Sequence, residues 1–242
     1  MARCPAPGPA DIHLWRAPLD VGPHDLPYLS QPLSTDERDR ALRFRAEIDR
    51  VRFTAGRGWL RHLLADYLDT DPSELAFSRD PGGKPRLEQP DAAWLQFSLS
   101  HSGNVVAFAV ATGRKVGVDI EKVQWDFPVE SVADRFFKED ERRDLALMPS
   151  ATARAEAFFA LWTRKESYLK GIGTGFGDPD SGLRAGVVLG PAAAETESSS
   201  PEFRGWTLAA FDVGAGYAAT VAVEGRPVRI PAAARELSLK LA

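Results

Sequence analysis

Apolar and polar positions repeat with two different periods along this chain, and the changes of period mark its elements. Ile12 and Leu14 alternate with polar neighbours and stop at Arg16-Ala17-Pro18, which predicts a short strand ended by proline. Ser34 and Glu37 match a capping box, so a helix is predicted to start there. From 38 to 68, residues such as Leu42, Ile48, Phe53, Leu60 and Leu64 supply apolar faces of helix, up to a stop at Asp71-Pro72-Ser73. Short strands are predicted next, over 75–78, 94–100, 105–111 and 116–121. The last two are expected to form a hairpin through Thr112-Gly113-Arg114-Lys115. A second helical run covers 129–147 and 151–170, and strands return at 185–189, 206–212 and 217–223. Residues 1–10 are expected to be disordered, and 191–202 to form an exposed low-complexity loop.

Helices followed by strands thus occur twice, with the break near Gly113. This predicts an α+β protein of two similar halves, 1–113 and 114–242, packed as an intramolecular pseudo-dimer. A chain of 242 residues that is 44% hydrophobic can fill either one large core or two small ones. The net charge of −4 argues against a general polyanion binder, so no nucleic-acid partner is expected. Any anion site must come from local clusters of arginine and lysine. Cys4, the one cysteine, has no internal partner, which fits a reducing cytoplasmic setting. No apolar run approaches the ~20 residues of a membrane span, so no membrane partner is expected either.

Candidate chemistry gathers in four segments. In Val116-Gly117-Val118-Asp119-Ile120-Glu121, apolar residues alternate with small or acidic ones. On a strand, Asp119 and Glu121 point one way while Val116, Val118 and Ile120 face a core. Like charges so placed repel unless solvent or a cation screens them. A hard divalent ion with oxygen ligands would do so; an edge strand with a solvated acidic face fits the same pattern. Trp162, Glu166 and Lys170 recur every four residues and share one helical stripe, either completing that acidic site or forming a surface Glu–Lys pair. Gly171 and Gly173 are expected to end this helix.

FSLSHSGN at 97–104 sets four small polar residues and His101 between two strands, a composition suited to an anion such as phosphate. Ser100 and His101 make a poor nucleophile–base pair, because adjacent strand residues point apart. Arg79-Asp80-Pro81-Gly82-Gly83-Lys84-Pro85 is a turn with two positive charges, whose glycines admit a ligand close to backbone. Its spacing is not that of a P-loop. Arg40, Arg43, Arg45, Arg50, Arg52, Arg57 and Arg61 make the first helical region basic. That is a solvated face by default, and a phosphate clamp if the turn and helix converge.

Taken in order, Gly83-Lys84-Pro85, FSLSHSGN, VGVDIE at 116–121 and FFALWTRKESYLKGIG at 158–173 resemble the motifs of Sfp-type 4′-phosphopantetheinyl transferases. DRVRFTAGRGWLRHLL at 49–64 and Arg135-Phe136-Phe137 ahead of Glu141 extend the resemblance over 38–175. It implies a magnesium-dependent enzyme (manganese fits the same oxygens) with coenzyme A as co-substrate. The implied reaction moves 4′-phosphopantetheine onto a serine of an apo acyl or peptidyl carrier protein and releases 3′,5′-ADP. Asp119, Glu121 and Glu166 are the implied metal ligands, and Lys170 the residue that meets the phosphate and helps the leaving group. Ser100 and His101 are implied to bind phosphate, with His101 also a candidate in the catalytic step. Gly83, Lys84 and Pro85, with Arg79, Arg40, Arg45 and Arg52, are implied to hold the adenine and 3′-phosphate. Either Glu166 or Glu141 is implied to accept the serine proton. Trp162 is read as packing against the site, and Phe136, Phe137, Arg142 and Arg143 as candidates for carrier recognition. A monomer is expected, since the halves satisfy each other's interface. The rival readings are a non-catalytic coenzyme A-binding module, a phosphatase-like hydrolase using the acids and His101, and a scaffold with no need of magnesium.

Overall fold

A computed structural model describes residues 4–174, 196–197, 205–225 and 228–239. In chain order its elements are β1 (Ile12–Pro18), α1 (Asp25–Ser30), α2 (Thr35–Leu42), α3 (Glu47–Leu68), β2 (Phe77–Arg79), β3 (Pro85–Leu87), β4 (Leu95–Ser102) and β5 (Val105–Thr112). There follow β6 (Val116–Lys122), α4 (Val129–Phe136), α5 (Glu139–Ala146), α6 (Ala151–Ile172), β7 (Thr196–Glu197), β8 (Trp206–Ala210), β9 (Tyr217–Glu224) and β10 (Arg235–Glu236). Two four-stranded sheets result, ordered β10-β1-β5-β4 and β6-β9-β8-β7, with β2 and β3 as a separate pair.

The alternation within β5 explains how the layers assemble. Val106, Phe108 and Val110 join Trp59, Leu60, Leu63 and Leu64 of α3 in one core. Ala107, Ala109 and Ala111, on the other face, meet Val118, Ile120, Val221 and Val223 of the second sheet. Large residues thus fill the helix side, and alanines let the two sheets approach. A third core, rich in aromatics, gathers Phe137, Phe158, Phe159 and Leu161 among α4, α5 and α6.

α2 begins on the predicted capping box: Ser34 Oγ accepts the Glu37 N–H, and the Glu37 carboxylate accepts the Ser34 N–H. The first helical run is divided in two, because the chain turns out of helix before Glu47, with Ala46 extended. The second run is divided into three, with Phe137 extended between α4 and α5.

The expected hairpin between 105–111 and 116–121 does not form. β5 carries β1 on one edge and β4 on the other, so it has no edge left for β6, which pairs with β9. Gly113, at φ 64°, instead carries the chain from one sheet into the other. The hairpin lies one strand earlier, where Gly103 and Asn104 turn β4 into β5.

Residues 4–10, expected to be disordered, lie against the first sheet: Thr112 Oγ1 donates to the Pro7 carbonyl at 2.7 Å, and Cys4 packs on the α3 core. The strand expected at 185–189 lies outside the described residues, as does most of 191–202. Thr196–Glu197 within the latter is a strand paired with β8, not loop. An unforeseen tail, 228–239, returns to the first sheet, with β10 parallel to β1 and Arg229 bridging to Asp11. No helix among the described residues is long and apolar enough to cross a membrane.

Candidate active site

Where the sheets meet, their edge strands β4 and β6 lie side by side without a shared ladder. Alternate serines of β4 bridge the gap. Ser98 Oγ accepts the Val118 N–H at 3.1 Å, and Ser100 Oγ donates to Asp119 Oδ1 at 2.8 Å. Ser102 Oγ donates to Glu121 Oε2 at 2.7 Å and accepts the Lys122 N–H at 3.0 Å. The two-residue period turns all three hydroxyls the same way.

α6 rests directly on β6. A Cβ on Gly117 would lie 1.9 Å from the Ser167 carbonyl oxygen and 2.3 Å from the Gly171 nitrogen. One on Gly171 would lie 2.6 Å from the Trp206 ring. Gly171 is therefore a packing residue inside the helix, and Gly173, at φ 82°, is its cap. This close approach brings the Glu166 and Lys170 stripe over Asp119. Lys170 Nζ donates to Asp119 Oδ1 and to Ser100 Oγ, each at 2.7 Å.

A cleft of about 920 Å³ opens between this seam, α3 and the turn joining β2 to β3. Its wall holds Asp119, Glu121, Glu166, Lys170, Ser100 and His101, together with Arg40, Arg52, Arg79, Gly83, Lys84 and Pro85. The basic helices and the turn do converge, which was the condition for a clamp.

Two predicted residues stay out of it. Arg45 is exposed and outside the wall. Glu141, 3% exposed, pairs with Lys165 Nζ at 2.7 Å and accepts the Lys138 N–H at 2.8 Å. It ties α5 to α6 and does not line the cleft. Lys84 reaches the wall, but its Nζ donates to the Val116 carbonyl at 2.7 Å, and burial pulls its ammonium down to about 8. It fastens the turn to β6 rather than presenting a free charge. Arg52 forks onto Asp20 at 2.7 and 3.2 Å, and Arg79 Nη1 donates to the Gly83 carbonyl at 2.9 Å. Phe137 is buried in the aromatic core, so it offers nothing to a partner; Phe136 is half-buried, edge-on to Trp162 at 5.6 Å. Trp162 packs on Phe158 as expected, and also lines the cleft.

Sequence reasoning had Ser98 and Ser102 only as part of an anion-binding segment and Arg57 only as part of a basic helix, and it missed the bridging role of the serines and the parts of Gly117 and Gly56. The S-x-S-x-S alternation was visible at 98–102, and a glycine inside a strand signals close backbone approach. Gly56 carried no such signal.

The three acids share an unfavourable charge state. Burial raises Asp119 and Glu121 above the usual carboxylate range, against the pull of Lys170 on Asp119 and of the Ser102 hydroxyl on Glu121. Glu166 is pushed up to about 8, by burial first and then by the charge of Asp119. His101 is held below the usual imidazole range by desolvation and then by Lys170 and Arg52. Asp119 Oδ2 and Glu166 Oε1 are buried without a hydrogen-bond partner. Unpaired buried carboxylate oxygens are costly, and a hard cation is the group that suits them. Among the described residues, no three His, Cys, Asp or Glu side chains are already gathered tightly enough to hold an ion by themselves. Asp119 and Glu166 supply the kind of oxygen donor that a hard cation takes.

Comparison with known proteins shows the family. The profile described as the 4′-phosphopantetheinyl transferase superfamily matches residues 115–222. That of the 4′-phosphopantetheinyl transferase N-terminal region matches 21–113. The chain is 38% identical to the 4′-phosphopantetheinyl transferase HetI of Nostoc sp., over 89% of this chain and 88% of that protein. It is 32% identical to the transferase psf-1 of Bacillus pumilus, over 71% of this chain and 76% of that one. With the transferase Sfp of Bacillus subtilis the identity is 32%, over 63% and 70%.

Proposed function

Because the chain belongs to the 4′-phosphopantetheinyl transferase superfamily, we propose that this cleft is where coenzyme A is held and its arm handed to a carrier serine. The enzyme transfers 4′-phosphopantetheine from coenzyme A to a carrier protein, with 3′,5′-ADP as the other product. One observation carries the placement: two buried carboxylate oxygens without partners, Asp119 Oδ2 and Glu166 Oε1, lie in one cleft with the Lys170 ammonium.

In this reading Asp119, Glu121 and Glu166 hold magnesium, or manganese at the same oxygens, which supplies positive charge beside the pyrophosphate. Lys170 turns its ammonium to the phosphate next to the departing oxygen and offsets the charge that gathers there. His101 donates a ring N–H to phosphate, while Ser100 keeps Asp119 and Lys170 in line. Arg40, Arg52 and Arg79 border the remainder of the cleft and take the adenosine end, with the Gly83 and Pro85 backbone close by. The carrier serine attacks the β-phosphorus, and its proton needs an acceptor. This reading assigns that task to Glu166, which lines the cleft, in preference to Glu141, which is paired with Lys165. Positioning and electrostatics carry the rate, as is general for transfer at phosphorus. The division at 113/114, a monomeric state and a cytoplasmic setting belong to the same proposal. The two family profiles, ending at 113 and starting at 115, support the first, with the tail 228–239 returning to the first sheet, and the core shared by the two sheets supports the second.

The test is the intact mass of an apo carrier protein incubated with this enzyme, coenzyme A and magnesium. A gain of one phosphopantetheinyl group is expected, lost with chelator and with Asp119→Ala. Full transfer by folded Asp119→Ala would remove the cleft from the reaction.

A further inference from the structure

Of the three acids proposed as metal ligands, Glu121, like Asp119 on Ser100, is held from the other half of the molecule. Its Oε2 accepts the Ser102 hydroxyl at 2.7 Å, and the same hydroxyl oxygen accepts the Lys122 N–H at 3.0 Å. The hydroxyl proton is thus committed to one carboxylate oxygen, and its orientation is set by a backbone donor on the very strand that carries Glu121.

Ser102 is itself pinned. It ends β4, and the turn after it is fixed from both sides. Tyr217 Oη donates to Asn104 Oδ1 at 2.8 Å, and the Leu19 N–H donates to the Asn104 carbonyl at 2.7 Å. A Cβ on Gly103 would lie 2.8 Å from Tyr217 Oη, so the turn fits against β9 with no slack. Ser98 has the same place in the alternation, yet among the described residues its hydroxyl bonds the Val118 N–H and no acid. Of the two seam hydroxyls that accept a β6 N–H, Ser98 only joins the strands, whereas Ser102 also aims a carboxylate.

We infer that Ser102 is a positioning residue that presets the Glu121 carboxylate for the cation. This rests on the reading of Glu121 as a metal ligand. Partners of this kind change metal affinity about 10–100-fold when removed.

The test uses Mn2+ as the probe, titrated by electron paramagnetic resonance in the presence of coenzyme A, with melting curves in parallel. Ser102→Ala is expected to weaken Mn2+ binding about tenfold or more, with the magnesium concentration for half-maximal rate rising in step. The KM for coenzyme A is expected to stay within about twofold, since Ser102 aims a metal ligand rather than the substrate. Ser102→Cys, which keeps the shape with a weak donor, should behave like alanine, and Ser102→Thr should restore most of the affinity. Ser98→Ala should lower the melting temperature and leave Mn2+ binding nearly unchanged. Equal Mn2+ affinity in Ser102→Ala and the native protein would overturn the inference and leave the metal assignment standing. An equal loss in Ser98→Ala would overturn it too, as a general loosening of the seam. Absence of Mn2+ binding in the native protein would remove the metal assignment, and the inference with it.

Discussion

Glu166 lies between two other acids and a lysine, and its carboxyl moves from an ordinary 4.5 to about 8 in the folded chain. In the unfolded chain it returns to the ordinary value, so between these limits the folded state binds the additional proton. Stability is then greatest below the unfolded value and declines as pH rises through the window. Asp119 and Glu121 are raised as well and act with the same sign. Without metal, the melting temperature is expected to fall between about pH 5 and 8 and to level off above. Glu166→Gln should flatten the decline, and so should saturating magnesium with coenzyme A. A flat native profile would show that these acids do not share buried charge. Glu141 is the contrasting case. Removing one partner of a buried pair costs about 3–5 kcal/mol, so Glu141→Ala should show a loss of that size in urea, with kcat of the folded protein nearly retained. A collapse of kcat at unchanged stability would return Glu141 to the role of base. Alternation alone told that Asp119 and Glu121 share a face. That Glu141 meets Lys165, and Lys84 the Val116 carbonyl, depends on which groups the tertiary fold brings across, and no local pattern carries that information.

Glycines decide how the elements fit. Gly117 and Gly171 let α6 lie on β6, and Gly58 is closed to substitution by the Leu29 carbonyl oxygen, 2.2 Å from its would-be Cβ. Gly56, two residues earlier on α3, has no such reason: the nearest atom to its would-be Cβ is Leu19 Cδ2 at 3.4 Å. A mid-helix glycine costs roughly 0.5–1 kcal/mol against alanine, and Gly56 faces the cleft. The two positions should therefore respond in opposite ways. Gly117→Ala is expected to destabilise by about 1–3 kcal/mol or more, through overpacking of strand on helix. Gly56→Ala should raise the melting temperature while raising the KM for coenzyme A, measured by steady-state kinetics. An unchanged KM would mean that the cleft keeps no room there for its ligand. At this scale the sequence was readable wherever a signal is local. The capping box at Ser34 and the alternation in β6 are two such signals, since each is settled by residues within one or two turns. The hairpin at 112–115 was misread because its failure depends on β1 already occupying the other edge of β5. The strand at 235–236 was missed because its partner lies more than two hundred residues earlier.

The whole molecule has one core that neither half can close alone. Leu14, Ala107 and Ala109 of the first sheet and Val118, Ile120 and Val221 of the second pack together, so separating the sheets exposes apolar surface on both. Val228 and Ile230 of the tail pack on this shared core, and Leu237 and Leu239 on the α3 core. Independent halves would melt in two steps, whereas a shared core is expected to give a single calorimetric transition whose van't Hoff and calorimetric enthalpies agree. Deleting 226–242 takes apolar cover from both cores together with the Arg229–Asp11 bridge, and should lower that one transition by several degrees without splitting it. The cleft makes the deletion informative about function as well. The acids Asp119 and Glu121 stand on β6 and the serines that hold them on β4, so a small shift of one sheet against the other separates Ser100 and Ser102 from their carboxylates. The shortened protein is therefore expected to need more magnesium for half-maximal transfer at temperatures where its far-ultraviolet dichroism is still native. If the magnesium requirement stays the same while the melting temperature falls, the alignment of the seam is set by the contact of β4 with β6 alone, and the tail serves only to cover the cores.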